Sequence, residues 1–140
     1  MKKRVLFLCT HNSARSQMAE GLLRKMGGDQ FDAFSAGTEA TRVHPLAVEA
    51  MREIGIDISG QRSKTIEELA GQDFDYVITV CDRANESCPI LPGNTQRIHW
   101  SFEDPSAATG TDEQRLRAFR NVREGIQQRL RMFQIVSGRP

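Results

Sequence analysis

Apolar runs alternate with amphipathic stretches along the chain, and this alternation predicts strands that are each followed by a helix. The segment Val5–Leu8 is a continuous apolar run, which is typical of a strand buried in a parallel sheet. From Ser16 the apolar residues recur with helical spacing, at Met18, Leu22 and Met26, until a Gly-Gly pair ends the predicted helix.

The rest of the chain continues this pattern. Three further segments are predicted to be strands: FDAFSAG at 31–37, FDYVITV from 74 to an end at Cys81, and the weaker TQRIHW at 95–100. Three further helices are predicted: from His44-Pro45, near 66–69, and a long amphipathic helix from Thr111, with Asp112 as the competing cap. We therefore predict an α/β fold, a three-layer sandwich with a four-stranded, mostly parallel sheet and helices on both faces.

The carboxyl ends of the predicted strands carry the candidate chemistry. Right-handed crossovers bring these ends to one edge of a parallel sheet, and ligands bind in the crevice outside that edge. Cys9 and Cys81 lie at two such ends, and Asp104 follows soon after the fourth strand. These three residues are therefore expected to share one site.

Composition and charge narrow the class of protein. The chain has 140 residues, of which 39% are apolar and 26% charged, so we predict one domain over 1–140. The net charge of +1 and the absence of an isolated basic block argue against a nucleic-acid partner. No apolar run is long enough to cross a membrane, and the basic start followed by VLFL is too short for a signal peptide. A cytoplasmic monomer is expected.

The segment CTHNSAR joins the first strand to the first helix and has the composition of an anion-binding loop. Its small residues allow successive backbone N–H groups to point inward, and the positive end of the following helix strengthens such a nest. Five residues separate the Cys9 thiol from the Arg15 guanidinium, whose planar fork matches two oxygens of an oxyanion. Asn12 is the loop residue best suited to a left-handed conformation, and Ser16 could donate a hydrogen bond to sulfur.

The same loop is expected to activate Cys9. A thiol beside a cation at a helix N-terminus has its pKa lowered, so we predict that Cys9 is largely thiolate near neutral pH and acts as a nucleophile. The alternative is an ordinary buried cysteine followed by an unrelated helix. The strand before the loop and the helix after it favour the catalytic interpretation.

Three segments also carry a resemblance to known proteins. CTHNSARS resembles the active-site loop of the low-molecular-weight protein-tyrosine phosphatase fold, and Asp104-Pro105-Ser106 resembles the Asp-Pro loop of that fold. The stretch VITVCDRANESCPILPGNTQRIHWSFEDP resembles the thioredoxin-coupled arsenate reductases. The likeness extends from about Lys3 to Phe133, so it implies the phosphatase-like fold for nearly the whole chain.

The resemblance implies a three-cysteine relay that detoxifies arsenate. Cys9 attacks arsenate held by residues Thr10, His11, Asn12, Ser13, Ala14, Arg15 and Ser16, with Asp104 as the proton donor to the departing oxygen. Cys81 then forms a disulfide with Cys9 as arsenite leaves. Cys88 then attacks Cys81 and forms a disulfide with it, which frees Cys9. Thioredoxin reduces this redox-active pair, Cys81–Cys88. Phosphate-like oxyanions are expected to compete with arsenate, and no cofactor is implied.

The spacing of the second and third cysteines agrees with a conformational step. If a helix spans Cys81 to Cys88, their Cα atoms lie roughly 10 Å apart, whereas a disulfide needs about 4.4–6.8 Å. The segment between them is polar, so little burial opposes its unwinding. Two alternatives stay open, inert cysteines and a zinc site completed by His11 or His99. The paired Cys-x2-Cys spacing of zinc sites is absent from the sequence, so no metal is predicted.

Two other functions remain open. The first is a phosphohydrolase of the low-molecular-weight phosphatase type that uses Cys9, Arg15 and Asp104. Phosphotyrosine enzymes of this fold usually have an aromatic residue after Asp-Pro, where this chain has Ser106, so a weak phosphatase activity is expected at most. The second is a redox sensor or oxyanion-binding module without turnover, in which the cysteine pair is a switch. The identity of the reductant, thioredoxin or glutathione, also stays open.

The chain departs from some relatives at a cation site. In those proteins Asn, Glu, Ser and Asp hold a monovalent cation beneath the loop. The first three match Asn12, Glu20 and Ser35, but the Asp position corresponds to Lys64. We hypothesise that the Lys64 ammonium takes the place of the cation, near Glu20.

Overall fold

The structure is a computed structural model that describes residues 2–81 and 95–137. Its centre is a four-stranded sheet of β1 (Lys3–Cys9), β2 (Phe31–Gly37), β3 (Tyr76–Thr79) and β4 (Gln96–His99). The strand order is β2-β1-β3-β4, and each neighbouring pair is parallel. The predicted parallel sheet is therefore confirmed.

The register brings the carboxyl ends of the strands to one edge of the sheet. Cys9 lies opposite Gly37, and Leu8 lies opposite Thr79. The prediction that β3 extends to Cys81 is wrong, since the strand ends at Thr79. The pairing of β3 with β1 ends with a hydrogen bond from Val80 N to Leu8 O (3.0 Å), one residue before β1 itself ends at Cys9. Cys81 lies in the bend that follows β3.

Three α-helices and two short 3-10 helices complete the described fold. They are α1 (Arg15–Gly27), α2 (Pro45–Arg52), α3 (Asp112–Ser137) and the 3-10 helices Ile66–Leu69 and Pro105–Ala107. In the described residues no helix is both long enough and apolar enough to span a bilayer.

Side chains cap the starts of α2 and α3. At α2, His44 is the cap, since its Nδ1 accepts a hydrogen bond from Leu46 N (3.1 Å). At α3, Thr111 Oγ1 accepts from Gln114 N (3.1 Å) while Gln114 Oε1 accepts from Thr111 N (2.8 Å). This reciprocal capping box identifies Thr111, rather than Asp112, as the cap.

The core lies between the sheet and the helices. Residues Val5–Leu8 of β1 are fully buried, as expected for the central part of a parallel sheet. The apolar stripe predicted for α3 is buried at most of its positions: Phe119, Val122, Ile126, Leu130 and Phe133. Burying each large side chain contributes about 1.5–3 kcal/mol, so this stripe fixes α3 against the rest of the fold. The rigid core supports the loops at the carboxyl edge of the sheet.

Candidate active site

The loop between β1 and α1 curls through one left-handed residue. Asn12 has φ 48°, as the sequence predicted, and its side chain is completely buried. This conformation reverses the chain between Cys9 and the start of α1, so the N-terminus of the helix faces the loop.

A buried network holds Asn12 in this conformation. Its Nδ2 donates to Ser16 Oγ (2.9 Å), and its Oδ1 accepts from Gln17 Nε2 (2.8 Å) and from Lys64 N (2.9 Å). Gln17 Nε2 also donates to the carbonyl oxygen of Asn12 (3.0 Å). Sequence reasoning missed Gln17. Its position could have indicated this role, since Gln17 is a polar residue directly before Met18 in the first turn of the helix, which is buried.

The loop and the Asp-Pro turn enclose a small cavity of about 20 Å³. Its lining residues are Cys9, His11, Ser13, Ala14, Arg15, Asp104 and Ser106. The structure therefore brings together most of the residues predicted to bind or attack the oxyanion. Among those predicted, Thr10, Asn12 and Ser16 do not line the cavity. Instead of the predicted bond to sulfur, Ser16 Oγ accepts the hydrogen bond from Asn12.

Arg15 spans the two sides of this cavity. Its Nη1 donates to the carbonyl oxygen of Phe102 (3.0 Å), and its Nη2 lies 3.9 Å from Asp104 Oδ2. Its Nε is buried and has no hydrogen-bond partner in the part of the chain that the structure describes. An uncompensated buried donor costs free energy, so Arg15 is suited to bind an anion that accepts from Nε.

The second cysteine lies directly behind the loop. Thr10 Oγ1 and Cys81 Sγ are 3.3 Å apart, within hydrogen-bonding distance, and Cys9 and Cys81 are both present as thiols. Only 3% of Cys9 and 5% of Cys81 is exposed. The structure thus places two buried sulfurs at one loop although Cys81 comes 71 positions after Thr10 in the sequence.

The pKa of the Cys9 thiol is shifted in the direction opposite to the prediction. The pKa of its thiol is raised above the ordinary value, first because Cys81 is its hydrogen-bond partner and second because the thiol is buried. The charge of Arg15 and the backbone amide of Thr10 act in the opposite direction but do not outweigh these effects. The prediction of a lowered pKa considered the cation and the helix, and it omitted the neighbouring thiol.

Asp104 is the N-cap of the 3-10 helix Pro105–Ala107 and lines the cavity together with Cys9. Burial raises the pKa of its carboxyl group. Hydrogen bonds from Ser106 and the charge of Arg15 lower the pKa by a larger amount, so the net pKa lies below its usual value. Asp104 is thus a carboxylate at neutral pH and must take up a proton before it can donate one.

Beneath the loop, Lys64 lies where the hypothesis placed it. Its Nζ is 3.8 Å from Glu20 Oε1, and Ser35 Oγ donates to the same carboxylate oxygen (2.8 Å). Glu20 Oε2 is also 3.0 Å from Arg24 Nη2. Burial lowers the pKa of Lys64, and the negative charge of Glu20 partly restores it. The Lys64 ammonium and the Arg24 guanidinium thus both lie beside this nearly buried carboxylate and offset its charge.

We expect that Lys64→Met will lower the free energy of unfolding by about 1–2 kcal/mol, because Glu20 loses one of its two cationic neighbours. Potassium chloride should restore part of this loss relative to choline chloride in thermal melts. The control is Lys25→Met, which removes an exposed lysine of α1. A potassium-specific rise in the melting temperature of the unaltered protein would contradict the substitution of the ion by Lys64.

Two predictions depend on residues that are not described. Cys88, and with it the pair Cys81–Cys88, lies outside the described ranges 2–81 and 95–137.

Within those ranges no cluster of three or more His, Cys, Asp or Glu side chains could hold a metal ion.

Comparison with known proteins identifies relatives of this arrangement. Residues 4–136 match the family model of the low molecular weight phosphotyrosine protein phosphatases. An arsenate reductase of Halalkalibacterium halodurans is 52% identical over 132 residues, which cover 94% of this chain and 95% of the relative. A solved arsenate reductase in the phosphate-binding state is 40% identical, with a TM-score of 0.75 and coverage of 94% and 95% of the two chains.

A thioredoxin-dependent arsenate reductase of Corynebacterium glutamicum is 29% identical, with a TM-score of 0.72. The likeness covers 97% of this chain and 64% of that one. These comparisons confirm the resemblance found in the sequence and the phosphatase-like three-layer fold that it implied.

Proposed function

The chain belongs to the low molecular weight phosphotyrosine protein phosphatase family, and from this premise we propose that it reduces arsenate to arsenite. The reaction uses Cys9 as the nucleophile, passes the oxidation to Cys81 and then to Cys88, and ends with reduction by thioredoxin. The protein thereby contributes to arsenic detoxification.

The observation that carries this proposal is a second buried thiol, Cys81, beside the anion loop. Hydrolysis through a phosphocysteine needs one sulfur and a water molecule. Here Cys81 is a hydrogen-bond partner of Cys9, and its sulfur is held 3.3 Å from the hydroxyl of Thr10. A second sulfur in this position can accept the oxidation of the first, because disulfide formation requires the two sulfurs to meet.

The first step joins sulfur to arsenic. The proton of Cys9 passes to dianionic arsenate, which leaves a thiolate facing a monoanion in the cavity. The thiolate attacks arsenic, the As–O bond breaks, and a proton from Asp104 leaves with the oxygen as water. Arg15 Nε and the loop amides bind the remaining oxygens. Asp104, a carboxylate at rest, first takes up this proton from solvent once the anion offsets the charge of Arg15.

The second step reduces arsenic. The Cys81 thiol gives its proton to an oxygen bound to arsenic, and its sulfur attacks the Cys9 sulfur. The S–As bond breaks, its electron pair stays with arsenic, and arsenite leaves. Arsenic(V) thus becomes arsenic(III), and two thiols become one disulfide. The hydroxyl of Thr10 can donate to Cys81 and stabilise its thiolate for this attack. Phosphate can occupy the same cavity but accepts no electrons from thiols, so it competes without turnover.

The third step exports the oxidation. Cys88 attacks the Cys81 sulfur and frees Cys9, and thioredoxin then reduces the Cys81–Cys88 disulfide by two thiol exchanges. The burial of Cys9 and Cys81 supports the need for such a carrier, because a protein reductant cannot reach either sulfur. The thioredoxin dependence of the Corynebacterium glutamicum relative also supports it.

Single-cysteine variants test the relay. We expect the unaltered protein to turn over continuously with arsenate, thioredoxin, thioredoxin reductase and NADPH. Cys88→Ser should release about one arsenite per protein molecule and then stop, because its Cys9–Cys81 disulfide is inaccessible. Cys9→Ser should release none. The measurements are NADPH oxidation and direct quantification of arsenite.

Each contrary result identifies another function. Continuous turnover by Cys88→Ser would mean that a different thiol, such as glutathione, resolves the intermediate. Rapid hydrolysis of an aryl phosphate without arsenite formation would favour the phosphohydrolase. Binding of arsenate by the unaltered protein, with no arsenite formed, would favour an oxyanion sensor.

A further inference from the structure

The residue that follows the Asp-Pro pair has an unexpected contact with the cavity. Ser106 stands where an aromatic residue is usual in the phosphotyrosine enzymes of this fold, and it lines the cavity together with Cys9 and Asp104. Its backbone N donates to Asp104 Oδ1 (3.0 Å), and its Oγ donates to the same oxygen (2.6 Å). Ser106 thus holds one oxygen of the carboxylate with two donors.

This pattern makes the two carboxylate oxygens different. Oδ1 uses its lone pairs to accept from Ser106, so a proton placed on Oδ1 would displace a hydrogen bond. Oδ2 lies towards Arg15, with 3.9 Å between Oδ2 and Nη2. A proton held by Asp104 is therefore favoured on Oδ2, the oxygen on the Arg15 side of the carboxylate.

We propose that Ser106 is a positioning residue for the reaction, which fixes the Asp104 carboxyl group so that Oδ2 delivers the proton. The proposal rests on the proposed role of Asp104 as the proton donor. The hydroxyl of Ser106 sets both the rotamer of the carboxyl group and the pH at which it is protonated, while touching neither sulfur.

The chain contains a matched copy of the motif away from the cavity. In Asp57-Ile58-Ser59, Ser59 N and Ser59 Oγ donate to Asp57 Oδ1 at 2.8 and 2.6 Å. Asp57 and Ser59 are exposed and line no part of the cavity around Cys9. The motif by itself is thus a turn, and the neighbourhood of Arg15 and Cys9 gives it a further role at Asp104.

Several charges act together with Ser106 on the Asp104 carboxyl group. Arg15 faces it from α1, and His11 faces it from the anion loop; both lower its pKa. His44, at the start of α2, also interacts electrostatically with Asp104. Loss of the Ser106 hydroxyl leaves these groups in place, so its effect on the pH dependence can be separated from theirs.

The test is a pH profile of single-turnover arsenite formation, stopped with acid, for Ser106→Ala and Ser59→Ala. In Ser106→Ala the pH above which the rate falls should rise by about 0.5–1 unit. The reason is that the Asp104 carboxylate loses a hydrogen bond that favoured its charged form. The limiting rate should fall about three- to tenfold, because the carboxyl group is no longer held in place. Ser106→Thr, which keeps the hydroxyl, should restore the profile. Ser59→Ala should leave the profile unchanged.

Two further measurements separate this inference from the proposed function. Carbon-13 NMR titration of the carboxyl groups should show a raised pKa for Asp104 in Ser106→Ala only. If Asp104→Asn keeps the full single-turnover rate, the role of Asp104 as proton donor fails, and the inference with it. If Asp104→Asn loses activity while Ser106→Ala, like Ser59→Ala, has the pH profile of the unaltered protein, the inference alone is overturned.

Discussion

Arg15→Lys is expected to lower kcat/KM for arsenate about 10³-fold while the net charge of the protein stays the same. Lysine keeps the positive charge but loses the planar fork and the buried Nε donor that has no partner in the described part of the chain. Two charge-assisted hydrogen bonds at about 2 kcal/mol each amount to roughly this factor. The measurement is the steady-state rate of arsenite formation over a range of arsenate concentrations.

A second arginine of α1 supplies the control. Arg24 also combines a backbone carbonyl with a carboxylate, since its Nη2 donates to Ala33 O (3.1 Å) and lies 3.0 Å from Glu20 Oε2. Arg24→Lys should therefore lose about as many contacts to neighbouring protein groups as Arg15→Lys does, but it should leave kcat/KM within about twofold of the unaltered value. Equal losses in Arg15→Lys and Arg24→Lys would show that the fork of Arg15 does not bind the oxyanion.

Gly37→Ala is expected to have the largest effect on stability. An added Cβ would lie 2.6 Å from Glu39 O, 2.7 Å from Thr10 O and 2.8 Å from Asn12 N. All three atoms belong to the backbone, so the overlap can be relieved only if the backbone moves, both in the anion loop at Thr10 and Asn12 and after β2 at Glu39. Overpacking of this kind costs about 2–3 kcal/mol, which corresponds to a fall of about 10 °C in Tm.

The displacement should also reach the anion, because Asn12 N is part of the loop. We expect phosphate to bind Gly37→Ala at least about tenfold more weakly, as measured by calorimetry below its Tm. Gly60→Ala is the control, since an added Cβ there meets no atom within 4 Å. An unaltered Tm and phosphate affinity in Gly37→Ala would show that the loop accommodates the methyl group without moving.

The parts of the fold that depend on local sequence could be predicted. The apolar run of β1, the alternation in β2 and the stripe of α3 each reflect a period of side-chain burial, and such periods are visible in a single sequence. The left-handed turn at Asn12 is likewise a local preference of that residue type. The anion loop and its Arg15 followed from these elements.

Contacts between distant segments could not be predicted in the same way. The raised pKa of Cys9 depends on Cys81, which reaches the loop only because β3 pairs with β1. The role of Gly37 depends on backbone atoms of a different strand-to-helix connection. The family resemblance supplied the order of the cysteines, but it did not indicate that Cys81 would raise the pKa of Cys9.

The narrow cavity and the burial of both sulfurs have a consequence for the cell. Cys9 and Cys81 are almost wholly enclosed by protein, so a soluble thiol has little access to either sulfur. If the relay operates as proposed, this enclosure shields the half-oxidised protein from low-molecular-weight reductants. Each arsenate would then commit the protein to one complete cycle.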